Sequence, residues 1–333
     1  MSRRRAGFES IARLAELADF TLAFAIRAVA HLGVADHLAE GPRRVGDLAA
    51  EIGAHERSLL RTLRALATAG VFAEPEPGLF ALTPLSELLR GDHPLSMRWA
   101  FRLRPDVDAW AEMEHTLRTG ETAFDHVFGT DYWSHLAANP ALQAQFRDSQ
   151  RALTRLELQT LTRLYDWRGL RTVVDLGGND GTFLCGLLSR YPQMRGTVFD
   201  LPGTVAEAAK TAADAGVADR CAAVGGSLFE TPLPAGADAY TIKRVLIGLA
   251  DDEVVTLLRI LRGVMRPDSR LLVLEPRDAP DDLSISMDLH MLVLGEGHVR
   301  SPERFGELLA EAGMSVAAVV DARLLNLIDA RPG

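Results

Sequence analysis

The sequence predicts an α/β protein in which an α-helical winged-helix domain precedes a doubly wound, Rossmann-like sheet domain. Three observations carry this expectation. From Thr172 onward, short apolar runs alternate with helix-length segments, the pattern of a largely parallel sheet wrapped by helices. The first run ends in Asp175-Leu176-Gly177-Gly178-Asn179-Asp180-Gly181, and the next ends in Phe199-Asp200-Leu201-Pro202. Ahead of them, two helical patterns and a Pro/Gly turn between apolar runs outline a helix-turn-helix with a wing.

Near the start, Leu14, Leu17, Phe20, Phe24, Ile26, Ala28, Leu32 and Val34 form a long apolar segment with few charges. A helix this apolar needs a partner, and the expected one is a second subunit, giving a homodimer through the N-terminal domain. Val45 to Ala54 reads as the first helix and turn of the helix-turn-helix. His55 to Ala69 reads as the second helix, with Leu59, Leu60, Leu63 and Leu66 inward and Gly70 as its stop. Val71-Phe72-Ala73 and Leu79-Phe80-Ala81-Leu82 flank the turn of the wing. Arg57, Arg61 and Arg64 lie near one another on the second helix. Glu51 and Glu56 offset them, so they read as a solvated face and no nucleic-acid partner is expected.

A winged-helix dimerisation domain over 8–105 is thus followed by a helical connector over 106–165 and a sheet domain over 166–333. In the connector, Phe124, Phe128, Tyr132 and Trp133 crowd around Gly129, with Trp110 and Phe146 to either side. They read either as the lid of an acceptor pocket or as an ordinary packing layer. Strands are expected at 172–176, 195–200, 221–224, 237–242 and 270–275, with a last pair near 315–320 and 323–328. Helices fit between them, for example over 203–215 and 251–265.

Bulk properties narrow the class. The chain has 333 residues, of which 47% are hydrophobic, enough for a globular protein with one large core or two moderate ones. No apolar run reaches the roughly 18 residues that span a bilayer, and the basic start lacks a signal-like apolar core. No membrane partner and a cytoplasmic location are therefore expected. Cys185 and Cys221 are the only cysteines. They are too few for a disulfide framework or a zinc site and read as buried core thiols, with no metal expected. A formal charge of −9 argues against non-specific binding of polyanions.

The glycine-rich turn gives the chemistry. An apolar run, an acid, a glycine turn, a helix and a second run ending in an acid form the first βαβ unit of a nucleoside-binding fold. Glycines let the backbone approach a ligand where a Cβ would collide. Asp200, about 20 residues past the turn, has the place of an acid that accepts both ribose hydroxyls. The pattern Asp-x-Gly-Gly-x-x-Gly differs from the Gly-x-Gly-x-x-Gly of dinucleotide binders, so a nucleoside without pyrophosphate fits better, and S-adenosylmethionine is the candidate.

Other segments extend the pattern over nearly the full length. They include Thr119-Gly120-Glu121-Thr122-Ala123-Phe124, Phe128-Gly129-Thr130-Asp131-Tyr132-Trp133, Gly226-Ser227-Leu228-Phe229 and Met287-Asp288-Leu289-His290-Met291-Leu292. In this order they resemble the class I S-adenosylmethionine-dependent O-methyltransferases of the plant caffeic-acid type and their bacterial natural-product relatives. The resemblance implies that Asp175, Gly177, Gly178 and Gly181 surround the methionine part of the cofactor. It implies that Asp200 holds the ribose, that Leu201 and Phe229 pack on the adenine beside Leu228, and that Lys243 lies beside the cofactor. Ser227 stands where the family has an Asp for the adenine amino group, and Asn179 replaces a third glycine.

At the catalytic position the chain departs from the family. The family reads Val-Leu-His-Asp-Trp after the lysine, and that His is the general base. Here Val245-Leu246-Ile247-Gly248-Leu249 puts Ile247 at its place, and isoleucine cannot move a proton. Of the two carboxylates that brace the base, Glu275 matches the first, while Val299 in Gly297-His298-Val299-Arg300-Ser301 stands at the second. His290 and His298 are the candidate replacements for the base. Asp288 reads as a packing or hydrogen-bonding residue.

Three functions fit. The first is an O-methyltransferase for an aromatic or polyketide-derived small molecule, working by proximity and orientation. The second is a repurposed relative that keeps the cofactor but catalyses hydroxylation or a pericyclic step. The third is a non-catalytic dimeric binding protein or winged-helix regulator.

Overall fold

The computed structural model describes residues 2–98, 104–279 and 282–333, and the chain divides into two compact units, Met1–Leu103 and Arg104–Gly333. In the first unit, α1 (Ser2–Ala18) and α2 (Thr21–Leu32) lead to β1 (Arg43–Arg44), α3 (Val45–Ile52) and α4 (Glu56–Thr68). β2 (Phe72–Glu76), β3 (Leu79–Leu82) and α5 (Pro84–Glu87) complete it. The strands pair antiparallel in the order β1-β3-β2, the wing that the turn between the apolar runs predicts. Leu59, Leu63 and Leu66 of α4 are buried with Leu48, Phe72 and Phe80, while Leu60 is half-buried. Arg64 is paired with Glu74 of β2, at 3.0 Å. The apolar face of α1 stays open: Phe8, Ile11, Leu14 and Leu17 are 66–73% exposed.

The second unit opens with α6 (Arg104–Ala111), α7 (Met113–Thr119), α8 (Ala123–Phe128), α9 (Tyr132–Ala138) and the long α10 (Pro140–Leu164). Caps set the short helices. Thr122 and Asp131 side chains accept the backbone N–H groups of Asp125 and Ser134, and Gly129 closes α8 in the left-handed region. The connector aromatics pack on one another, Phe124 lying 4.5 Å from Phe128 and 5.1 Å from Tyr132 between ring centres. They form a cluster with Val293 and Leu294.

Then follow β4 (Thr172–Leu176), α11 (Thr182–Arg190), β5 (Arg195–Asp200), α12 (Pro202–Val205), α13 (Ala208–Asp214), β6 (Cys221–Gly225) and β7 (Ala239–Lys243). α14 (Asp251–Val264), β8 (Arg270–Pro276), α15 (Asp282–Leu294), α16 (Pro302–Glu311), β9 (Met314–Asp321) and β10 (Leu325–Pro332) close the chain. Among the described residues the sheet has seven strands in the order β6-β5-β4-β7-β8-β10-β9. β4 to β8 run parallel, and β10 is antiparallel to both its neighbours. The helix expected over 203–215 is broken into α12 and α13. Apolar clusters built on Tyr240, Leu271 and Val273 and on Trp167, Phe183 and Leu188 fill the space between sheet and helices.

α10 is bound to the sheet by charge as well as by packing. Its Glu157 is buried and bridges two cations at the end of β7: Lys243 Nζ at 3.1 Å and the Arg244 guanidinium at 2.8 Å. Nearly two turns earlier, Arg151 reaches Asp180 in the glycine turn at 2.6 Å. Burial pushes the Glu157 carboxyl up, but Lys243 and Arg244 outweigh it and hold the group below its usual range. Asp175, at the end of β4, has no such partner. Its Oδ1 accepts the Thr241 hydroxyl at 2.7 Å, its Oδ2 has no hydrogen bond among the described residues, and burial pushes it up to about 7.

Two predictions follow from these carboxyls. Glu157→Gln leaves two nearly buried cations facing a neutral amide, and is expected to lower unfolding stability in urea by about 3–5 kcal/mol. Stability within 1 kcal/mol of wild type, roughly the median for exposed pairs, would show that the bridge does not hold α10. For Asp175, the folded value lies above the unfolded one, so its contribution is full below about pH 4 and is lost as pH rises through about 7. Compared with Asp175→Asn, the ligand-free wild type is therefore expected to lose ~1.4 kcal/mol per pH unit between pH 5 and 7. Parallel stability profiles would mean that Asp175 is already ionised.

Candidate active site

The strand order reverses at β4: β5 and β6 lie on one side, β7 and β8 on the other. Ligands of doubly wound sheets sit above such a switch point, at the carboxyl ends of the strands. The glycine turn occupies it. Gly177 N and Gly178 N both point to Phe199 O, at 2.8 and 3.4 Å, which folds the turn over the end of β5. Asn179, in the left-handed region with φ 52°, donates its backbone N–H to Asp200 Oδ2 at 2.8 Å. Asp200 Oδ1 accepts Leu201 N at 2.7 Å. Burial pushes the Asp200 carboxyl up, while these two backbone bonds favour its charged form. Each oxygen keeps lone-pair capacity for a hydroxyl donor.

The structure gives the glycines a further reason to be there. A Cβ on Gly177, where φ is 65°, would stand 2.4 Å from Val245 Cγ2. One on Gly178 would stand 2.7 Å from Asp175 Oδ2 and 2.9 Å from Val198 Cγ1. The protein's own side chains demand glycine here, whether or not a ligand approaches. Gly181, φ 76°, then starts α11 against Val198 and Ala208.

These residues fit a nucleoside bearing a charged, amino-acid-like tail. Asp200 can take two hydroxyls, and the buried, unpartnered Asp175 Oδ2 suits a donor in the turn. Leu201 and Phe229 are 56% and 40% exposed, apolar surface left open just past β5 and β6. Ser227 Oγ accepts Phe229 N at 3.3 Å, and Leu228 packs against the cluster around Tyr240. Lys243 is turned towards α10, where its ammonium meets Thr154 Oγ1 at 3.0 Å and Glu157.

Glu275 lies at the end of β8 and is buried. Its Oε1 accepts the backbone N–H groups of Val245 and Leu246 at 2.9 and 2.8 Å, fixing the 3-10 turn that contains Ile247. Oε2 has no hydrogen-bond partner among the described residues, and burial pushes the carboxyl up to about 7. The same turn is held from the other side by Arg300. Its buried guanidinium donates to Leu246 O at 2.7 Å, to Leu249 O at 2.6 Å and to Asp251 at 2.6 Å. Ile247 itself is buried.

The loop carrying His298 and Val299 rests directly on this turn, since a Cβ on Gly297 would fall 1.8 Å from Ile247 O. Val299 N donates to Asp288 Oδ1 at 2.9 Å, the hydrogen-bonding role expected of that acid. His298 Nε2 stands 3.7 Å from Asp251, and burial lowers its basicity. His290 belongs to a different group. Trp110 Nε1 donates to its Nδ1 at 3.2 Å, and its Nε2 faces Asp106 at 3.9 Å.

The turn residues Asp175, Gly177, Gly178 and Gly181 therefore meet Asp200, while Glu275, Ile247, Val299 and His298 gather around the 3-10 turn. His290 sits with α6. Arg300, Glu157 and Asp106 escaped the sequence reading. A buried Glu on a long helix leaves only a weak trace there, whereas Arg300 stood inside a motif read only for its missing acid.

Known proteins share this organisation. Residues 110–315 match the O-methyltransferase domain family and residues 15–92 match the O-methyltransferase dimerisation domain. Phenazine O-methyltransferase of Lysobacter antibioticus is 37% identical over 309 residues, 91% of this chain and 90% of that protein. Aclacinomycin 10-hydroxylase of Streptomyces purpurascens is 32% identical over 316 residues, 92% of this chain and 84% of that protein. The crystal structure of an O-methyltransferase from neocarzinostatin biosynthesis, in complex with S-adenosylmethionine and 2-hydroxy-5-methyl naphthoic acid, superimposes with a TM-score of 0.85 at 34% identity. It covers 96% of this chain and 98% of its own. With both domain families matched in order and such relatives along its length, the chain belongs to the S-adenosylmethionine-dependent O-methyltransferase family and to the branch that holds its bacterial natural-product members.

Proposed function

We propose that the protein methylates an acidic hydroxyl, a carboxyl or a phenol flanked by a carbonyl, on an aromatic or polyketide-derived small molecule, and that it does so without a general base. The observation that carries this is Ile247. The turn where the family places its His is fixed by Glu275 and Arg300, and an aliphatic side chain fills the position. S-adenosylmethionine would supply a methyl carbon already activated by its sulfonium. The chain's part is to bind, orient and exclude water.

Asp200 would take the ribose hydroxyls, Leu201, Ser227, Leu228 and Phe229 would bound the adenine, and Asp175 with Gly177, Gly178 and Gly181 would receive the methionine part. Lys243 would act from behind, holding α10 through Glu157. Glu275 would position the turn rather than touch the acceptor. Trp110 donates to His290 Nδ1, His290 Nε2 faces Asp106, and His298 is made less basic by burial. With Ile247 at the place of the family's base, an acceptor that is ionised or easily ionised suits the site. A homodimer would cover the exposed apolar face of α1.

A second reading is favoured by one relative, the aclacinomycin 10-hydroxylase. On this reading S-adenosylmethionine would stay in place while a different reaction occurs on the acceptor. Mass spectrometry of the product with quantified S-adenosylhomocysteine decides between the two: one equivalent per methylated product supports transfer, and conversion without it supports the second reading.

Asp200→Ala is expected to raise the dissociation constant for S-adenosylhomocysteine roughly 10- to 100-fold by calorimetry, the loss of ~1.5–3 kcal/mol typical of hydrogen bonds to a charged group. Unchanged affinity would remove Asp200 from the cofactor site. His290→Ala is expected to retain most of the turnover. A fall in kcat of about 10²-fold or more, the cost of a lost general base, would instead make His290 the base and end the orientation reading.

A further inference from the structure

The two cysteines stand apart from the site just described, but they do not stand apart from each other. Cys185 on α11 and Cys221 at the start of β6 bring their sulfurs to 4.0 Å. The approach is built into the packing. Gly196 is the β5 partner of Cys221, and a Cβ there would fall 2.7 Å from Leu184 Cδ1, so its absence lets α11 rest on the sheet. Cys185 follows Leu184 on that helix and is buried. Cys221 is half-exposed and lines a surface cavity of about 500 Å³ with Thr197, Arg220 and Ala222. One thiol is open to a reagent, and the other waits beside it.

We propose that Cys221 and Cys185 form a thiol–disulfide exchange site that reacts with low-molecular-weight disulfides and closes to an intramolecular disulfide. The Cys221 thiolate attacks one sulfur of the reagent, forming a mixed disulfide and expelling the other half as a thiolate. Cys185 then loses its proton and attacks Cys221 Sγ, releasing the second half as a thiol. One disulfide is reduced to two thiols, and the protein loses two hydrogens. The hydrogen bond from Cys185 holds the Cys221 thiol below its usual range, which suits Cys221 as the attacking group, and Cys185 is the resolving one by its place beside it. The sulfurs must close to about 2.05 Å for the bond to form. The bond would tie the helix that begins at the glycine turn to the strand that leads to Ser227.

The test uses the full chain with oxidised glutathione, followed by alkylation and peptide mapping. The expected result is loss of both alkylatable thiols, a cross-linked pair of peptides containing Cys185 and Cys221, no retained glutathione and full reversal by dithiothreitol. Cys185→Ser is expected to trap glutathione on Cys221, and Cys221→Ser to leave Cys185 unreacted in the folded protein. Wild-type protein that keeps both thiols, accumulates glutathione on Cys221 or forms covalent dimers overturns the proposal. Because the wild-type experiment decides by itself, a variant that failed to fold would not rescue it.

Discussion

The buried carboxylate of Glu157 is the contact on which the arrangement of the second unit depends. It draws Lys243 and Arg244 together at the end of β7, where two adjacent cations would otherwise repel. Arg244 sits there in the left-handed region, φ 54°, a conformation that a non-glycine residue needs a strong partner to keep. From it the chain enters the 3-10 turn, whose N–H groups Glu275 caps and whose carbonyls Arg300 takes. Arg151 and Asp180 form a second ion pair nearly two helical turns away, at the glycine turn. Thus a single helix, α10, is tied to both lips of the crevice between β4 and β7.

On the proposed function, that rigidity would bear on how catalysis proceeds without a general base. A general base contributes about 10²–10⁴ in rate, roughly 3–5 kcal/mol. Holding reactants in line contributes up to about 7–11 kcal/mol. The larger quantity depends on a scaffold that does not yield, and the scaffold here is charged, buried and hydrogen-bonded. The smaller one depends on a side chain that Ile247 lacks. On the proposed function, an acceptor with a low pKa would make up the difference, because its proton is already gone or easily given to water.

Much of this was legible in the sequence, for reasons that differ from place to place. The strands showed because period-two and continuous apolar runs are set by burial, which the side chains state directly. The glycine turn showed because left-handed backbone at Gly177 and Gly181 leaves few alternatives to glycine. The split of the expected 203–215 helix did not show, since Pro202 reads as a helix start and no residue marks the break at Ala206 and Glu207. At the site, Asp200 was visible from spacing alone, but the Glu157 bridge was not. It joins residues 86 and 87 positions apart, and local pattern carries no signal of such a pair. Cys221 was read as a core thiol, yet it is only half-buried, at the first position of an edge strand.

On the proposed function, the residues that still frame the 3-10 turn fit a changed mechanism rather than general decay. Gly297 is present, and only glycine fits where its Cβ would meet Ile247 O. Arg300 is present and saturated by the turn's carbonyls and Asp251. Glu275 is present and still caps the turn. Each of these supports backbone geometry. Among the departures from the family pattern, Ile247 and Val299 stand where the resemblance would place the base and one of its braces. Random loss would strike the buried arginine and the crowded glycine as readily, and at greater cost to folding. On the proposed function, a site with this frame and without that proton chemistry would take an acceptor that does not need it.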